Sequence, residues 1–435
     1  MRLLIFLAIF AAPNAEAQVP VLKDPQKVLL VDLDDVGHAE VAAARTPTLD
    51  GMRERGRYYT TLVTAPTCSP SRAMLQTGAR CSHPGVLLGR VLRNKYKGTQ
   101  AYALPTEPLV PLGRLVVNAG LSTAKIGKWH LSQSVFPTHP NQCGWQTYRG
   151  AIANLIVKQD TYRSFPKVVD GKEARVDGLY ITTDETNDAI EALERGVELV
   201  SLSYHAPHKP WHVPPAELLA PRTDAEGEAL ELSAEALTEE ELTLLMLEAC
   251  DHELGRLVEV AEKAGYVVFV FGDNGGQNSR ETKGGKGTLF ETGVTVPMWA
   301  VGPGVVTGVD RSLLSMVDFY ATVAELLGIE RKSKKEGPDS VSFVRTLRGE
   351  PGARTHAYTE IFDKLGEDPR RNTKIQWRRA VRGERFKLFQ NRGGRFLALY
   401  DLEADPGEEV NLLDSPLTVE VQAAHSVLLK LLHSM

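Results

Sequence analysis

Short apolar runs bounded by polar residues recur along the chain, and such runs are typical of strands buried on both faces. The clearest run has Val-Leu-Leu-Val at its centre and stops before a pair of aspartates. Runs of this kind predict strands at Lys27 to Leu33, Ser122 to Ile126, Val197 to Tyr204 and Tyr266 to Phe271.

Between these runs, apolar residues repeat with the spacing of amphipathic helices. Helices are predicted at Thr48 to Gly56, Leu112 to Gly120, Glu239 to Ala264 and Met316 to Leu327. Strands that alternate with helices favour an α/β fold with a largely parallel sheet. Such sheets carry their functional sites beyond the carboxyl ends of the strands.

The C-terminal part of the chain has a different pattern. Arg331 to Pro338 is charged and ends in Gly-Pro, as a linker would. Beyond it, Arg379 to Gln390 and Phe396 to Leu402 are predicted strands, and Leu417 to Leu432 is a predicted helix. The sequence therefore predicts a catalytic domain over residues 18–350 and a smaller C-terminal subdomain over residues 351–435.

The N-terminus resembles an export signal. Arg2 precedes the apolar run Leu3 to Ala12, and Ala15-Glu16-Ala17 has the small-x-small form of a cleavage site. Residues 1–17 are therefore predicted to be a signal peptide, cut after Ala17, which implies a secreted or periplasmic protein. The run is too short to span a bilayer, so no membrane span is expected. The net charge is only −5 and no basic stripe occurs, so no nucleic-acid partner is expected either.

Two of the predicted strands end in loops that carry oxygen ligands. Asp34 and Asp35 follow the first strand, and Asp273 and Asn274 follow the strand that ends at Phe271. Each pair alone is common in turns and helix caps. Two such pairs after two buried strands favour a shared metal site. Hard oxygen ligands suit Ca²⁺ or Mg²⁺ rather than zinc.

Basic side chains lie near other predicted strand ends. Lys128 and His130 are two residues apart, so on an extended chain they face the same side. The other candidates are Arg72, His208 and Lys286, the last in a glycine-rich loop. Each alone is most often a surface charge or a satisfied polar group. Together around a divalent cation they suggest a tetrahedral anionic substrate, either sulfate or phosphate.

Several other catalytic motifs are incomplete. The chain has no Gly-x-Ser-x-Gly, which disfavours an ordinary serine hydrolase. His252-Glu253 begins like a zinc-protease helix, but Arg256 stands where the second histidine would be. Gly285-Lys286 is followed by Gly287 rather than by Ser or Thr, so no phosphate-binding P-loop is indicated.

The run Cys68-Ser69-Pro70-Ser71-Arg72, continued by Ala73 to Gly78, resembles the signature of the formylglycine-dependent sulfatase family. The resemblance extends over nearly the whole mature chain, in the family's order. The other matching segments are Val28 to Gly37, Thr46 to Asp50, Gly127 to Leu131, Ala206 to His208, Asp273 to Gly276, Gly285 to Glu291 and Leu399 to Glu408. The resemblance implies the alkaline-phosphatase-like fold. That fold has a large, mixed but mostly parallel sheet flanked by helices, and a smaller C-terminal antiparallel sheet with a helix.

The resemblance also implies a role for each candidate residue. In this family, a formylglycine-generating enzyme converts the signature cysteine, here Cys68, into the formylglycine nucleophile. One Ca²⁺ per chain would be bound by Asp34, Asp35, Asp273, Asn274 and the modified Cys68. Arg72 would hold the modified side chain, and Lys128 and Lys286 would bind the sulfate oxygens. His130 would sit beside residue 68, and His208 would face the leaving oxygen.

The function implied is hydrolysis of a sulfate monoester on a sulfated small molecule or saccharide, with a carbohydrate as the expected class. One alternative is a phosphonate or phosphate-ester hydrolase on the same scaffold. Another is a binding protein that keeps an unmodified cysteine.

The chain departs from the family pattern at two positions near the site. Asp32 stands where the family more often has an apolar residue, and we interpret it as a neighbour of the metal site rather than a ligand. Gln76 replaces a commonly apolar residue, but the Cys-x-Pro-x-Arg core is intact. His205 and His212 flank His208, and we expect His212 to line a polar loop.

Overall fold

A computed structural model describes residues 26–92, 101–222, 232–277, 284–372, 374–391 and 397–435. The predicted signal peptide lies outside these residues. The strands are Lys27–Leu33 (β1), Arg57–Val63 (β2), Thr123–Gly127 (β3), Thr147–Gly150 (β4), Ser164–Val169 (β5), Lys172–Asp177 (β6), Leu199–Ser203 (β7), Tyr266–Gly272 (β8), Thr295–Val301 (β9), Gly308–Asp310 (β10), Leu314–Ser315 (β11), Ala357–Phe362 (β12), Trp377–Arg382 (β13), Phe386–Asn391 (β14) and Leu397–Asp401 (β15).

The helices are His38–Ala43 (α1), Pro47–Arg55 (α2), Cys68–Thr77 (α3), Leu112–Asn118 (α4), His139–Gln142 (α5), Ile181–Glu194 (α6), Glu239–Lys263 (α7), Glu291–Val294 (α8), Asp318–Leu326 (α9), Val344–Leu347 (α10) and Val419–Ser434 (α11). The longest, α7, begins with a capping box in which Thr238 and Glu241 satisfy each other's backbone amides. In the described ranges, no helix has the length and apolar character needed to cross a bilayer.

One large mixed sheet organises the N-terminal part of the fold, with the strand order β10-β2-β9-β8-β1-β7-β3-β4-β5-β6 and with β11 paired to β2. The central strands β8, β1, β7, β3 and β4 run parallel, and antiparallel strands extend the sheet on both sides. Alternate residues of β1 pack into two different hydrophobic cores, one on each face of the sheet. Val28 and Leu30 pack on the side of α3 and α9, whereas Leu29 and Val31 pack on the side of α6 and α7. The predicted α/β fold with a mostly parallel centre is confirmed.

A separate sheet, β12-β13-β14-β15, is wholly antiparallel. One face packs against α11, with Leu388 and Leu428 in a shared core. The other face packs against the segment that carries α8, with Phe389 close to Val294. The predicted C-terminal antiparallel sheet with a helix is therefore present. The predicted boundary at residue 350 falls in the connection between α10 and β12.

One predicted strand, Arg379 to Gln390, is wrong as a single element. The segment is a hairpin of β13 and β14, and the amide of Gly383 donates to the carbonyl of Phe386 across its turn. The sequence between the strands, Gly-Glu-Arg, supplies that turn. Apolar residues occur on both sides of the turn, Ala380 and Val381 before it and Phe386 and Leu388 after it, so the pattern does not show where the chain reverses direction.

Two long strands, β2 and β9, were not predicted. Pro297 lies inside β9 and has no amide hydrogen, so its sequence is unfavourable for an interior strand. The antiparallel ladder between β2 and β9 shifts register between Tyr59 and Leu62, opposite this proline. The irregularity allows the sheet to continue past a residue that cannot donate.

Candidate active site

The two acidic loops meet at one edge of the large sheet. β1 and β8 are parallel neighbours in register from Lys27 opposite Tyr266 to Leu33 opposite Gly272. The residues that follow both strands therefore emerge side by side. The backbone amide of Asp35 donates to Oδ1 of Asp273 over 3.1 Å, which ties one loop to the other.

Cys68 enters this edge at the first residue of α3, and its side chain is fully buried. Its Sγ and one carboxylate oxygen from each of Asp34 and Asp273 all lie within 4.8 Å of one another. Gly78 ends the helix in the left-handed conformation, and all ten helical residues are buried. The sheet edge and the start of α3 thus place three candidate residues in one cluster.

Arg72 lies one helical turn after Cys68, on the same face of α3. One of its terminal nitrogens donates to Oδ2 of Asp273 over 2.9 Å and lies 4.0 Å from Oδ1 of Asp34. The other donates to the backbone carbonyl of Lys128 over 3.2 Å. Arg72 therefore connects the helix that carries Cys68 to both acidic loops.

Two lysines from different parts of the chain contact the carboxylates of the acidic loop after β1. Lys128 follows β3, is fully buried, and places its ammonium against Oδ2 of Asp34. Lys286 places its ammonium 2.5 Å from Oδ1 of Asp35. Both cations therefore lie within reach of an anion bound at the acidic loops.

These charges set the protonation of the acids. Burial acts to raise the pKa of Asp34, but Lys128 and the other nearby cations outweigh it and hold that pKa well below its usual value. Burial likewise opposes ionisation of Asp35, yet Lys286 lowers its pKa overall. Asp273 is different, because burial and then the charge of Asp34 raise its pKa to about 7.

The candidate histidines are buried, and burial lowers the pKa of both. His208 has its Nε2 3.9 Å from Oδ2 of Asp35 and its Nδ1 2.9 Å from the carbonyl of Lys209. Burial lowers its pKa to about 4. Burial, reinforced by the charge of Lys128, holds the pKa of His130 well below its usual value. Nε2 of His130 lies 2.9 Å from the carbonyl of Leu92.

Backbone conformation singles out two residues of the site. Asp35 has φ of 67° and His130 has φ of 56°, the left-handed region that side chains other than glycine seldom adopt. Such conformations persist where the surroundings enforce them, often at functional sites. The tight turns aim both side chains at the same edge of the sheet.

The residues present fit a hard divalent cation. Oδ1 of Asp34 and Oδ1 of Asn274 are buried and have no hydrogen-bond partner among the described residues. Unpaired buried oxygens are costly, and a cation would satisfy both. The thiol of Cys68 is a poor ligand for such an ion, and burial raises its pKa. An oxygen at that position would complete an all-oxygen set.

The model of the sulfatase family matches residues 26–329, more than two thirds of the chain. The chain belongs to the sulfatase family. As a sulfatase it is a sulfuric ester hydrolase. The resemblance to the sulfatase family and the predicted enzyme class are thereby confirmed.

Its relatives share little sequence identity with it but align with most of its length. The sulfatase is 23% identical over 473 residues to a sulfatase of Formosa agariphila, covering 89% of this chain and 84% of the relative. It is 26% identical over 369 residues to N-acetylgalactosamine-6-sulfatase of Homo sapiens, covering 74% of this chain and 66% of the relative. Ps i-CgsB, solved in complex with k-i-k-neocarrahexaose, shares the fold with a TM-score of 0.76 and 21% identity, covering 94% of this chain and 92% of that one.

Some residues around the site of this sulfatase were not predicted. Gln277 places its side-chain amide against Oδ2 of Asp35, and Glu185 lies 2.5 Å from Nδ1 of His205. Asp32 was expected to be a neighbour of the site and contacts Arg72 directly, at 2.8 Å. Gln277 follows the Asp-Asn-Gly-Gly segment closely enough for the motif to suggest it. Nothing in the sequence links Glu185 to this edge.

Proposed function

We propose that this sulfatase hydrolyses sulfate monoesters of carbohydrates, using formylglycine made from Cys68 as the nucleophile. The observation that most directly supports this proposal is that Sγ of Cys68 and one carboxylate oxygen from each of Asp34 and Asp273 lie within 4.8 Å of one another. The ammonium groups of Lys128 and Lys286 contact the same acidic loops. A nucleophile, anionic metal ligands and substrate-binding cations are the parts that attack on an anionic ester requires.

Asp34, Asp35, Asp273 and Asn274 would hold one Ca²⁺, with an oxygen of the modified residue 68 as a further ligand. Such an ion would supply positive charge that stabilises the developing charge on the sulfuryl oxygens and lowers the pKa of the attacking hydroxyl. The hydrated aldehyde supplies two hydroxyls on one carbon, one to attack sulfur and one whose deprotonation later releases sulfate.

The chain's own residues position the reactants. Lys128 and Lys286 bind the sulfuryl oxygens and stabilise the charge that develops on them. Their present carboxylate partners keep both ammonium groups aimed at the acidic loops. Arg72, one turn from residue 68 and anchored on Asp273, holds the nucleophile in place.

The two histidines are suited to opposite proton transfers. Nδ1 of His208 donates to the backbone carbonyl of Lys209, so Nε2 can give a proton to the departing alcohol only after it has taken up a second proton, in the imidazolium form. For His130, Nε2 faces the carbonyl of Leu92, and its buried Nδ1 has no hydrogen-bond partner among the described residues. That nitrogen is the acceptor for the second hydroxyl's proton.

The carbohydrate substrate class is inferred from relatives. One of them is an N-acetylgalactosamine-6-sulfatase, and the structure of Ps i-CgsB holds a saccharide. We further infer secretion or periplasmic export from residues 1–17, and maturation by a formylglycine-generating enzyme from the intact Cys-x-Pro-x-Arg motif.

The test is co-expression with a formylglycine-generating enzyme, followed by paired assays. Peptide mass spectrometry first measures conversion of Cys68 to the aldehyde. The converted protein is then offered a panel of sulfated mono- and disaccharides and their phosphate counterparts. We expect sulfate release that scales with the converted fraction. Faster turnover of the phosphate esters, or equal sulfate release by unconverted protein, would overturn the proposal.

A further inference from the structure

A cluster of buried polar side chains lies beneath the site, on three neighbouring strands of the large sheet. Asp32 is on β1, Ser203 on β7 and Lys125 on β3, in the sheet order β1-β7-β3. The register pairs Asp32 with Ser203 and Lys125 with Ser201. Directly paired residues of parallel strands share a face, and this face is the one that packs against α3. All four side chains are buried.

The cluster is continuous with Arg72. Ser203 Oγ donates to Oδ1 of Asp32 over 2.5 Å. The ammonium of Lys125 contacts Ser203 Oγ and lies 4.0 Å from the same carboxylate oxygen. The other oxygen, Oδ2, forms an ion pair with a terminal nitrogen of Arg72 at 2.8 Å. One carboxylate thus joins a buried lysine to the arginine that holds the site.

Packing does not account for these residues. Val28 and Leu30, earlier on the same face of β1, belong to the apolar core, and an apolar residue at position 32 would continue it. Buried ion pairs are often no more stabilising than apolar side chains of similar volume. Arg72 also already has a carboxylate partner in Asp273. A residue that brings a further buried charge to Arg72 is better explained by what it does to that side chain.

We propose that Asp32 is a positioning residue that holds Arg72 and shares its charge, with Lys125 and Ser203 as its supports. The guanidinium then has a carboxylate at each terminal nitrogen, Asp32 at one and Asp273 at the other. Without Asp32, the terminal nitrogen of Arg72 that faces away from Asp273 would be held only by its 3.2 Å hydrogen bond to the carbonyl of Lys128. The positive charge of Arg72 would then be balanced mainly by Asp273, a carboxylate that is also a proposed metal ligand. The inference rests on the proposed function of Arg72 and Asp273.

The test begins with Asp32→Asn, which removes the charge and keeps the size. Loss of a residue that supports metal ligands typically costs ~10- to 100-fold in metal affinity or activity. We expect Ca²⁺ affinity, measured by calorimetry, to fall at least ~10-fold, and kcat for sulfate release to fall similarly. We expect KM to change little, because Lys128 and Lys286 are untouched. Conversion of Cys68 is measured in every preparation, so that incomplete maturation is not mistaken for the effect.

The double variant Asp32→Asn/Lys125→Met separates positioning from charge balance. It leaves no uncompensated lysine, so it should regain thermal stability lost in the single variant while Ca²⁺ affinity and kcat stay low. Recovery of all three together would overturn the inference. Asp318→Asn is the matched control, since Asp318 is also buried against an arginine, Arg354, in a pair outside the site. It should lower the melting temperature and leave Ca²⁺ affinity and kcat unchanged.

The outcomes also distinguish the inference from the proposed function. A wild-type protein that binds Ca²⁺ but releases no sulfate would overturn the proposed function. The loss of Ca²⁺ affinity in Asp32→Asn would still support the inference in that case. A wild-type sulfatase whose Asp32→Asn variant keeps both Ca²⁺ affinity and kcat would overturn the inference alone.

Discussion

Glu291 connects the C-terminal sheet to the segment that carries Lys286, and its replacement gives a sharp test of that connection. It is the first residue of α8, five positions after Lys286. Its carboxylate accepts from Lys387 on β14 over 2.8 Å and from Arg382 on β13 over 3.0 Å. Its backbone amide donates to Glu408 over 2.6 Å. An ionic network at this residue therefore joins the C-terminal sheet to α8, which leads directly into β9 of the large sheet.

The size of the effect follows from the protonation of Glu291. Burial opposes its ionisation, but the charges of Lys387 and Arg382 lower its pKa from the usual 4.5 to about 2. A shift of one unit corresponds to ~1.4 kcal/mol, so ionised Glu291 stabilises the fold by about 3 kcal/mol. Because the folded-state pKa is depressed, this contribution is fully present above the unfolded value and is lost as the pH falls toward the folded value.

The assay is urea denaturation of wild type and Glu291→Gln at neutral pH and again near pH 3. We expect Glu291→Gln to lower the free energy of unfolding by about 3 kcal/mol at neutral pH, and by roughly half of that near pH 3. Glu420→Gln is the matched control in the same subdomain. Glu420 is largely exposed and pairs with Arg385 at 2.9 Å, so its loss should cost about 0–1 kcal/mol.

The result that would refute this reasoning is a loss for Glu291→Gln no larger than that for Glu420→Gln, or a loss that does not shrink in acid. Either would mean that the ion pairs of Glu291 do little more than replace its hydration.

Three further predictions concern the site and its supporting helix. Cys68→Ala should abolish sulfate release while circular dichroism shows an intact fold, and residual turnover would remove Cys68 from the mechanism. Asp273→Ala should lose bound Ca²⁺ and most activity, and zinc rather than calcium in metal analysis of the wild type would contradict the ligand argument. Gly78→Ala should lower the melting temperature more than Gly265→Ala. Both glycines have positive φ, but a Cβ at Gly78 would lie 2.5 Å from Gly337 Cα, whereas one at Gly265 meets nothing within 4 Å.

Local patterns were sufficient to predict the centre of the sheet. β1, β7 and β8 are apolar along their length because both faces are covered, and their ends agree with the predicted strands to within a few residues. Because acidic loops follow β1 and β8, the sequence also predicted that those loops meet.

Long-range pairing was not predictable in the same way. β2 and β9 are antiparallel partners more than two hundred residues apart, and no periodicity within either strand indicates the other. The contact between Asp32 and Arg72 depends in the same way on how α3 lies across β1. The motif identified Arg72 as a candidate, but a single position on a strand cannot show which side chain will meet it.

The complete burial of Cys68 has a consequence for the timing of maturation. Once the fold is closed, an enzyme that must reach this side chain has no path to it. The strand before it, β2, pairs with β9, whose first residue is Thr295. About 230 residues must therefore be added after Cys68 before that pairing can form, which at the usual rates of synthesis takes roughly 10–50 s. The proposed conversion of Cys68 would therefore have to be completed during synthesis, in an interval set by how far along the chain β9 is encoded.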